Sequence, residues 1–210
     1  MSRNKSARPR FKMAADGWCS DVVRAASPNF DARPADAKVD LLVIHNISLP
    51  PGQFGGTFIA DLFANRLDYD AHPYFDQLRA MRVSAHFLIR RDGVVMQFVS
   101  TNDRAWHAGL SSFAGRQRCN DFSIGIELEG TDFEPFAIIQ YEMLAALTRA
   151  LQAGHPLTDI AGHEHIAPGR KTDPGPFFDW TCYQAHYRQP LTGQDLLALH
   201  GAALRFPSLA

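Results

Sequence analysis

The sequence predicts one α/β domain in which a central mixed β-sheet is flanked by α-helices. Residues 39–44 form a short, nearly continuous apolar run with β-branched members, as in a strand buried on both faces. Asp92 and Gly93 separate two further apolar runs, which indicates a β-hairpin, and residues 135–153 carry apolar side chains at helical spacing. The chain has 210 residues, 46% of them hydrophobic, which is enough for one hydrophobic core.

The first predicted elements lead to a histidine at the end of a strand. Residues 1–15 are expected to form a flexible basic leader, and residues 21–25 a short strand. His45 directly follows the strand at 39–44, and open α/β sheets gather ligands at the ends of buried strands. The further elements expected, in chain order, are a loop over 46–56, a helix over 57–65 capped by Thr57, a short helix over 74–79, strands over 85–90 and 94–99, a long loop over 106–120, a strand over 122–129, and helices over 135–153 and 194–204.

The composition limits the kinds of partner and compartment. A net charge of −1 and a pI near 6.7 give no electrostatic reason to expect nucleic acid or an anionic membrane as a partner. Cys19, Cys119 and Cys182 are odd in number and far apart, which makes a poor disulfide framework and suits a reducing compartment. No apolar stretch follows the basic N-terminus, and no run is long enough to span a bilayer, so we expect a cytoplasmic protein with no membrane partner.

Residues 161–176 concentrate chemically active side chains in one Gly- and Pro-rich stretch. They include His163, His165, Lys171 and Asp173. Proline lacks the backbone N–H and glycine is conformationally loose, so we expect a loop here rather than a helix or a central strand. A polar surface loop is the plain alternative. Functional residues often lie on loops held by a rigid scaffold, and His45 upstream favours that interpretation.

The histidines and the aspartate suit a metal site. A catalytic zinc site takes three ligands from His, Asp or Glu and keeps a fourth position open for water, whose pKa the ion lowers to about 7. His45, His163 and Asp173 offer such a set. His163 and His165 also form an HxH pair, so spacing alone does not choose between them. The other histidines that compete for a ligand position are His72, His86, His107, His155, His186 and His200.

Two further residues suit the hydrolysis of an amide. Glu127 shares a strand face with the small residues Ser123 and Gly125, which leaves it room to take a proton from water and pass it to the leaving amine. The alternative is a solvated sheet face that Glu127 shares with Glu129. Lys171 suits the stabilisation of an oxyanion, provided that the loop folds back over the metal, and its alternative is an exposed charge.

A cysteine nucleophile is the leading alternative without a metal. Cys119 or Cys182 would be paired with a histidine in that case. Neither cysteine has a distinctive local signature, and the GxSxG, HExxH and P-loop motifs are absent from the sequence.

Several long segments also resemble one known family, in the same order along the chain. They are residues 43–52, 83–93, 104–109, 119–132 and 162–176. These segments are similar to AmpD-type N-acetyl-anhydromuramyl-L-alanine amidases, which are zinc amidases related to peptidoglycan-recognition proteins. The resemblance runs from about residue 17 to residue 180. The leader is longer than the family pattern, Glu164 and His165 replace a less basic pair, and the stretch after Trp180 does not match.

The resemblance implies a role for particular residues. It places zinc on His45, His163 and Asp173, and it makes Glu127 and Lys171 the catalytic residues. It also implies an amidase-like mixed sheet flanked by helices over residues 16–190. The leader at 1–15 and the helical extension at 191–210 are expected from the sequence pattern instead. The residues that the resemblance suggests for holding the sugar and the peptide carboxylates are Asn46, Arg82, Trp106 and Arg118.

The resemblance likewise implies a reaction and a setting. The amide between the lactyl group of 1,6-anhydro-N-acetylmuramic acid and L-alanine would be hydrolysed during cytoplasmic peptidoglycan recycling, by a monomer that takes a small muropeptide. This reaction would also remove the muropeptide that induces a chromosomal β-lactamase. Two alternatives remain, namely a module that binds muropeptides without cutting them and an amidase that acts on the intact cell wall.

Overall fold

The computed structural model describes residues 11–189 and 203–207. In this part of the chain, ten β-strands and four α-helices follow one another. They are β1 Val23–Arg24, β2 Phe30–Ala32, β3 Leu41–Ile47, α1 Phe58–Phe63, β4 Phe87–Ile89, β5 Val95–Gln97, β6 Asp103–Ala105, β7 Ser112–Phe113, β8 Arg116–Gln117, β9 Ser123–Glu129, α2 Ile138–Gly154, β10 Asp159–Gly162, α3 His163–Ile166 and α4 Trp180–Arg188. Short 3₁₀ helices lie at Pro73–Leu78 and Cys119–Asp121.

A six-stranded sheet in the order β1-β5-β4-β9-β3-β10 forms the centre of the domain. Strands β4 and β5 are antiparallel, whereas the other neighbouring pairs are parallel. The antiparallel pair turns at the predicted hairpin, where Gly93 has φ +86° and the Val94 N–H donates to Asp92 Oδ1. The predicted α/β domain with a mixed sheet is therefore confirmed.

One face of the sheet is apolar and lies under the helices. Ile124, Ile126 and Leu128 of β9 belong to one buried cluster with Leu144 and Leu151 of α2. The expectation that the apolar residues of this strand share one face is confirmed, because successive side chains in a strand point to opposite faces.

The opposite face carries the polar residues. In the register of the parallel strands, His45 of β3 pairs with Glu127 of β9, so both side chains leave the sheet on the same side. Ala161 of β10 pairs with Val43, and His163 lies two residues beyond Ala161 at the start of α3. The register therefore brings three distant segments to one place.

Two predicted boundaries around this face are wrong. Strand β3 runs from Leu41 to Ile47, so His45 lies inside the strand and residues 46 and 47 are not loop, because β9 continues to pair with them. Residues 161–176 are not all loop either. Ala161 and Gly162 end β10, and one helical turn, α3, follows.

Several short elements were not predicted. The strands β2 and β6 pair with each other, and the expected loop over 106–120 contains the hairpin of β7 and β8. Helix α4 is capped at its N-terminus by Asp179, whose side chain accepts a hydrogen bond from the Cys182 N–H at 2.8 Å. The hydroxyl groups of Tyr183 and Thr148, 2.6 Å apart, link α4 to α2.

The chain ends differ from the predicted leader and extension. Residues 11–15 contact the domain, since Met13 forms a β-bridge with Cys19 and Phe11 packs against the main core. Residues 1–10 and most of the predicted helix over 194–204 lie outside the described residues. Residues 203–207 run beside β10, where Arg205 forms a β-bridge with Asp159, and are not helical. No helix in the described part of the chain combines the length and the apolar character needed to cross a bilayer.

Candidate metal centre

Three side chains from distant segments converge on one point. The distance between His45 Nδ1 and His163 Nδ1 is 3.0 Å, and Asp173 Oδ2 lies 3.0 Å from each of these nitrogens. Four ligands of a tetrahedral zinc site, each about 2.0–2.1 Å from the ion, lie about 3.3 Å from one another. Among the described residues this is the group of His, Cys, Asp and Glu side chains placed to hold a metal ion. Two imidazoles and one carboxylate fit zinc.

The loop that carries Asp173 is tied down on both sides. The Asn46 Nδ2 group donates to Asp132 Oδ1 at 2.6 Å and to the Pro174 carbonyl at 3.0 Å. The Thr172 hydroxyl donates to the other oxygen of Asp132 at 2.5 Å, and the Glu164 N–H donates to the Asp173 carbonyl. These hydrogen bonds fix the backbone around Asp173 and thereby limit the positions that its carboxylate can take.

Burial and charge set the protonation of the three groups. Burial lowers the pKa of His45 to about 4, against the opposing effect of the Asp173 carboxylate. Burial alone would raise the pKa of Asp173, but the neighbouring His163 and His45 imidazoles outweigh it and hold that pKa well below its ordinary value. At neutral pH the centre therefore offers a neutral His45 imidazole and an ionised carboxylate, the states that metal ions bind.

Glu127 lies beside this centre and is only 9% exposed. Its Oε2 atom is buried and has no hydrogen-bond partner among the described residues. Burial raises the pKa of Glu127 well above its ordinary value, the Asp173 charge raises it further, and Lys171 opposes both. Glu129 is also buried and accepts hydrogen bonds from the N–H groups of Gly55 and Arg91. The alternative of a solvated sheet face is wrong for both glutamates.

The other predicted residues lie in different settings. Lys171 is exposed, but its charge lowers the pKa of both Glu127 and His45, which places it near them. Trp106 is half-buried and directly follows β6 in the chain. Arg118 is exposed, with its Nε atom 3.3 Å from the Asp121 carboxylate.

Two residues assigned to substrate contacts donate hydrogen bonds to the protein itself, Asn46 through its Nδ2 group and Arg82 through Nη1. Both hydrogen bonds of the Asn46 Nδ2 group point to Asp132 and Pro174, so its Oδ1 atom is the group left for a ligand. Arg82 is exposed and donates to the carbonyls of Arg79 and Met81, and these contacts do not connect it to the centre.

The structure decides between the alternatives that the sequence left open. His165 is exposed, its Nδ1 atom accepts from the Gly162 N–H at 2.8 Å, and its ring lies against Trp180, so it caps α3 instead of joining His163. Burial raises the pKa of both Cys119 and Cys182, which keeps these thiols protonated and argues against a cysteine nucleophile.

Sequence reasoning named His107 only as a competitor for a ligand position and missed its contact with His45. Its Nδ1 atom lies 2.9 Å from His45 Nε2, so it contacts a candidate metal ligand directly. The available signal was its place between Trp106 and Ala108 in a segment that the resemblance already covered.

Comparisons with known proteins agree with this geometry. Residues 35–176, which contain all the candidate ligands, match the family described as N-acetylmuramoyl-L-alanine amidase. The 1,6-anhydro-N-acetylmuramyl-L-alanine amidase AmpD of Salmonella typhimurium (strain SL1344) is 56% identical over 171 residues, which is 80% of this chain and 91% of that protein. A crystal structure of a selenomethionine derivative of AmpD is 54% identical with a TM-score of 0.79, covering 81% of this chain and 97% of that one.

A further solved structure contains a ligand. It is the amidase AmiD of E. coli in complex with the substrate anhydro-N-acetylmuramic acid-L-Ala-D-γ-Glu-L-Lys. It is 28% identical with a TM-score of 0.52, and the match covers 84% of this chain and 65% of that one.

Proposed function

Because the chain belongs to the N-acetylmuramoyl-L-alanine amidase family, we propose that it hydrolyses the amide between the lactyl group of 1,6-anhydro-N-acetylmuramic acid and L-alanine in muropeptides. The observation that carries this proposal is the convergence of His45, His163 and Asp173 beside the unpartnered carboxylate oxygen of Glu127. The name of the Salmonella relative and the ligand of the AmiD complex support the choice of substrate.

We further propose that His45 and His163, each through Nδ1, and Asp173 through Oδ2 hold a zinc ion. Zinc bound there supplies a Lewis acid that activates water and polarises the amide carbonyl. The 3.0 Å separations of the three donor atoms support this assignment, as does the depressed pKa of the Asp173 carboxyl, which keeps that ligand ionised.

Glu127 is proposed to move the proton. It takes a proton from the attacking water and gives it to the nitrogen of L-alanine as the C–N bond breaks, so that the products are the lactyl carboxylate and a free amine. A carboxyl group whose pKa is raised holds a proton more readily and can then pass it on, and burial raises the pKa of Glu127.

Lys171 is proposed to stabilise the oxyanion that develops on the amide carbonyl. Its influence on the pKa of Glu127 supports a place near the reacting atoms. Replacement by alanine should then lower kcat more than it raises KM, because the oxyanion exists only along the reaction path. A change confined to KM would make Lys171 a residue that holds the substrate.

The proposed substrate contacts are Asn46, Arg82, Trp106 and Arg118. The free Oδ1 atom of Asn46 is a hydrogen-bond acceptor, and the exposed guanidinium groups of Arg82 and Arg118 suit carboxylates of the stem peptide. Trp106 offers an aromatic surface for the sugar. Arg82 is the least supported of the four, because it donates to carbonyl groups of its own segment.

The proposed setting is cytoplasmic recycling of peptidoglycan fragments by a monomer. Removal of the same muropeptides would limit the induction of a chromosomal β-lactamase in bacteria that have one. Cys19, Cys119 and Cys182 are free thiols in the structure, which suits a reducing compartment.

Mass spectrometry of the products, with a zinc assay on the same sample, tests the function. Incubation with an anhydro-muropeptide should release a free stem peptide with N-terminal L-alanine and anhydro-N-acetylmuramic acid. A chelator should abolish the release, and added zinc should restore it. Binding without release would favour the non-hydrolytic module, and faster release from intact cell wall would favour the wall amidase.

A further inference from the structure

We propose that His107 and Ala108 form a two-residue clamp that sets the tautomer and the orientation of both imidazoles at the metal centre. The inference rests on the proposed function, because it takes His45 and His163 as the ligands. In this clamp His107 acts through its ring and Ala108 through its carbonyl oxygen. Both are positioning residues, since they act through the ligands His45 and His163.

The Ala108 side of the clamp fixes His163. The Nε2 atom of His163 lies 3.0 Å from the Ala108 carbonyl oxygen. A carbonyl can only accept a hydrogen bond, so Nε2 must carry the proton. The neutral ring then presents the lone pair of Nδ1 to the point where Asp173 and His45 converge.

The His107 side fixes His45 through a chain of hydrogen bonds whose direction is set at its far end. The Ser123 hydroxyl donates its only hydrogen to the Cys119 carbonyl at 2.6 Å. The same hydroxyl lies 3.2 Å from His107 Nε2, so it must accept a hydrogen bond from the Nε2–H group of His107. His107 Nδ1 is left as an acceptor for the Nε2–H group of His45, 2.9 Å away. The Nδ1 lone pair of His45 therefore also faces the metal centre.

Independent contacts hold the clamp in place. The side-chain oxygen of Asn120 accepts hydrogen bonds from the backbone N–H groups of both His107, at 3.2 Å, and Ala108, at 2.8 Å. The guanidinium of Arg170 donates to the Ala108 carbonyl at 2.8 Å. The ring of His107 lies directly on Gly125 of β9, where an added Cβ atom would come within 2.5 Å of it.

The clamp orients both ligands without using the metal. Outer hydrogen bonds of this kind fix the tautomer and ring orientation of metal-binding histidines and raise their affinity for the ion. Here two adjacent residues serve two ligands, so one backbone segment organises two of the three protein ligands. Loss of the clamp should thus weaken metal binding more than folding.

Two variants of His107 separate this role from a merely structural one. In His107→Asn, the side-chain oxygen takes roughly the place of Nδ1 and keeps an acceptor for His45, whereas His107→Leu has similar bulk and no acceptor. Zinc affinity of the full chain, measured by competition with a chromophoric chelator, should fall about 10–100-fold for His107→Leu. His107→Asn should recover most of it. Unchanged affinity in His107→Leu, or equal losses in both variants, would overturn the proposal.

Nitrogen NMR of the histidine rings in the unsubstituted full chain keeps the test independent of the variants. With zinc removed, His45, His107 and His163 should each carry the proton on Nε2, and a proton on His107 Nδ1 would contradict the clamp. A chain that shows these tautomers but binds no zinc would leave the clamp standing and refute the metal-dependent function, so the two failures are distinguishable.

Discussion

The two faces of strand β9 make opposite use of adjacent residues. All seven residues of the strand are buried, so burial does not distinguish the faces. Ile124, Ile126 and Leu128 pack with helix α2 in the main core, whereas Gly125 and Glu127 face the His107 ring and the metal centre. Because side chains alternate between the two faces of a strand, residues that stabilise the core alternate along β9 with residues that face the candidate metal centre. Substitutions at neighbouring positions should have different consequences.

The largest expected effect is on the polar face. Glu127→Gln removes the proposed proton carrier but keeps the size of the side chain, and it should lower kcat roughly 10²–10⁴-fold. Zinc content and thermal stability should not fall, because the variant removes a buried group with an unpartnered oxygen. Glu129→Gln is the matched control, since Glu129 holds the backbone of Gly55 and Arg91 and should affect kcat far less. Loss of zinc along with activity would make Glu127 a ligand instead.

The adjacent residue on the apolar face should behave in the opposite way. Ile126→Ala leaves a cavity in the core under α2 and should lower the free energy of unfolding by about 2–5 kcal/mol. Its kcat per folded molecule and its zinc affinity should stay close to those of the unsubstituted chain. Urea denaturation and steady-state kinetics at low temperature measure the two quantities. A large fall in kcat without loss of stability would contradict the assignment of stability to the apolar face and chemistry to the polar face.

The smallest effect concerns pH. Burial lowers the pKa of His155 to about 4, and burial also lowers the pKa of His86 well below its ordinary value. The unfolded chain takes up protons near pH 6.5 and the folded chain does not, so stability is full above that pH and declines as the pH falls toward 4. Each such histidine contributes a slope of up to about 1.4 kcal/mol per pH unit.

Urea denaturation of the zinc-free chain between pH 7.5 and 4.5 measures this slope. His155→Gln should reduce it by the contribution of one histidine. Ile126→Ala should shift the curve without changing its slope, since the apolar face does not titrate. An equal slope in His155→Gln and the unsubstituted chain would show that His155 takes up its proton at the same pH in the folded and unfolded chains, which would contradict the lowered pKa.

Local sequence patterns predicted the elements whose own residues carry an apolar or turn signal. Strand β3 carries a nearly continuous apolar run, β9 alternates, Asp92 and Gly93 mark the hairpin of β4 and β5, and α2 has apolar residues at helical spacing. Strand β10 has no such pattern, because Asp159, Ala161 and Gly162 are poor strand formers, and it exists by pairing with the buried strand β3. Helix α4 likewise depends on the cap at Asp179 and on Tyr183 reaching the core.

For the candidate site, too, local sequence patterns predicted one part and tertiary contacts determined the rest. Residue types and spacing proposed a zinc site but left His163 and His165 as competitors, and the resemblance chose between them. The reason for the choice is the register of β10 against β3, which carries His163 to His45 and leaves His165 as a helix cap. His107 could not be found from spacing, because its contact with His45 depends on the empty position at Gly125 in another strand.

The zinc content of three forms of the chain tests the central claim most directly. The unsubstituted chain, His163→Ala and the matched neighbour His165→Ala would be equilibrated with zinc, dialysed and analysed by mass spectrometry of the metal. Convergence of His45, His163 and Asp173 predicts one zinc ion per chain for the unsubstituted protein and for His165→Ala, and almost none for His163→Ala. Full zinc content in His163→Ala, or its loss in His165→Ala, would contradict the account.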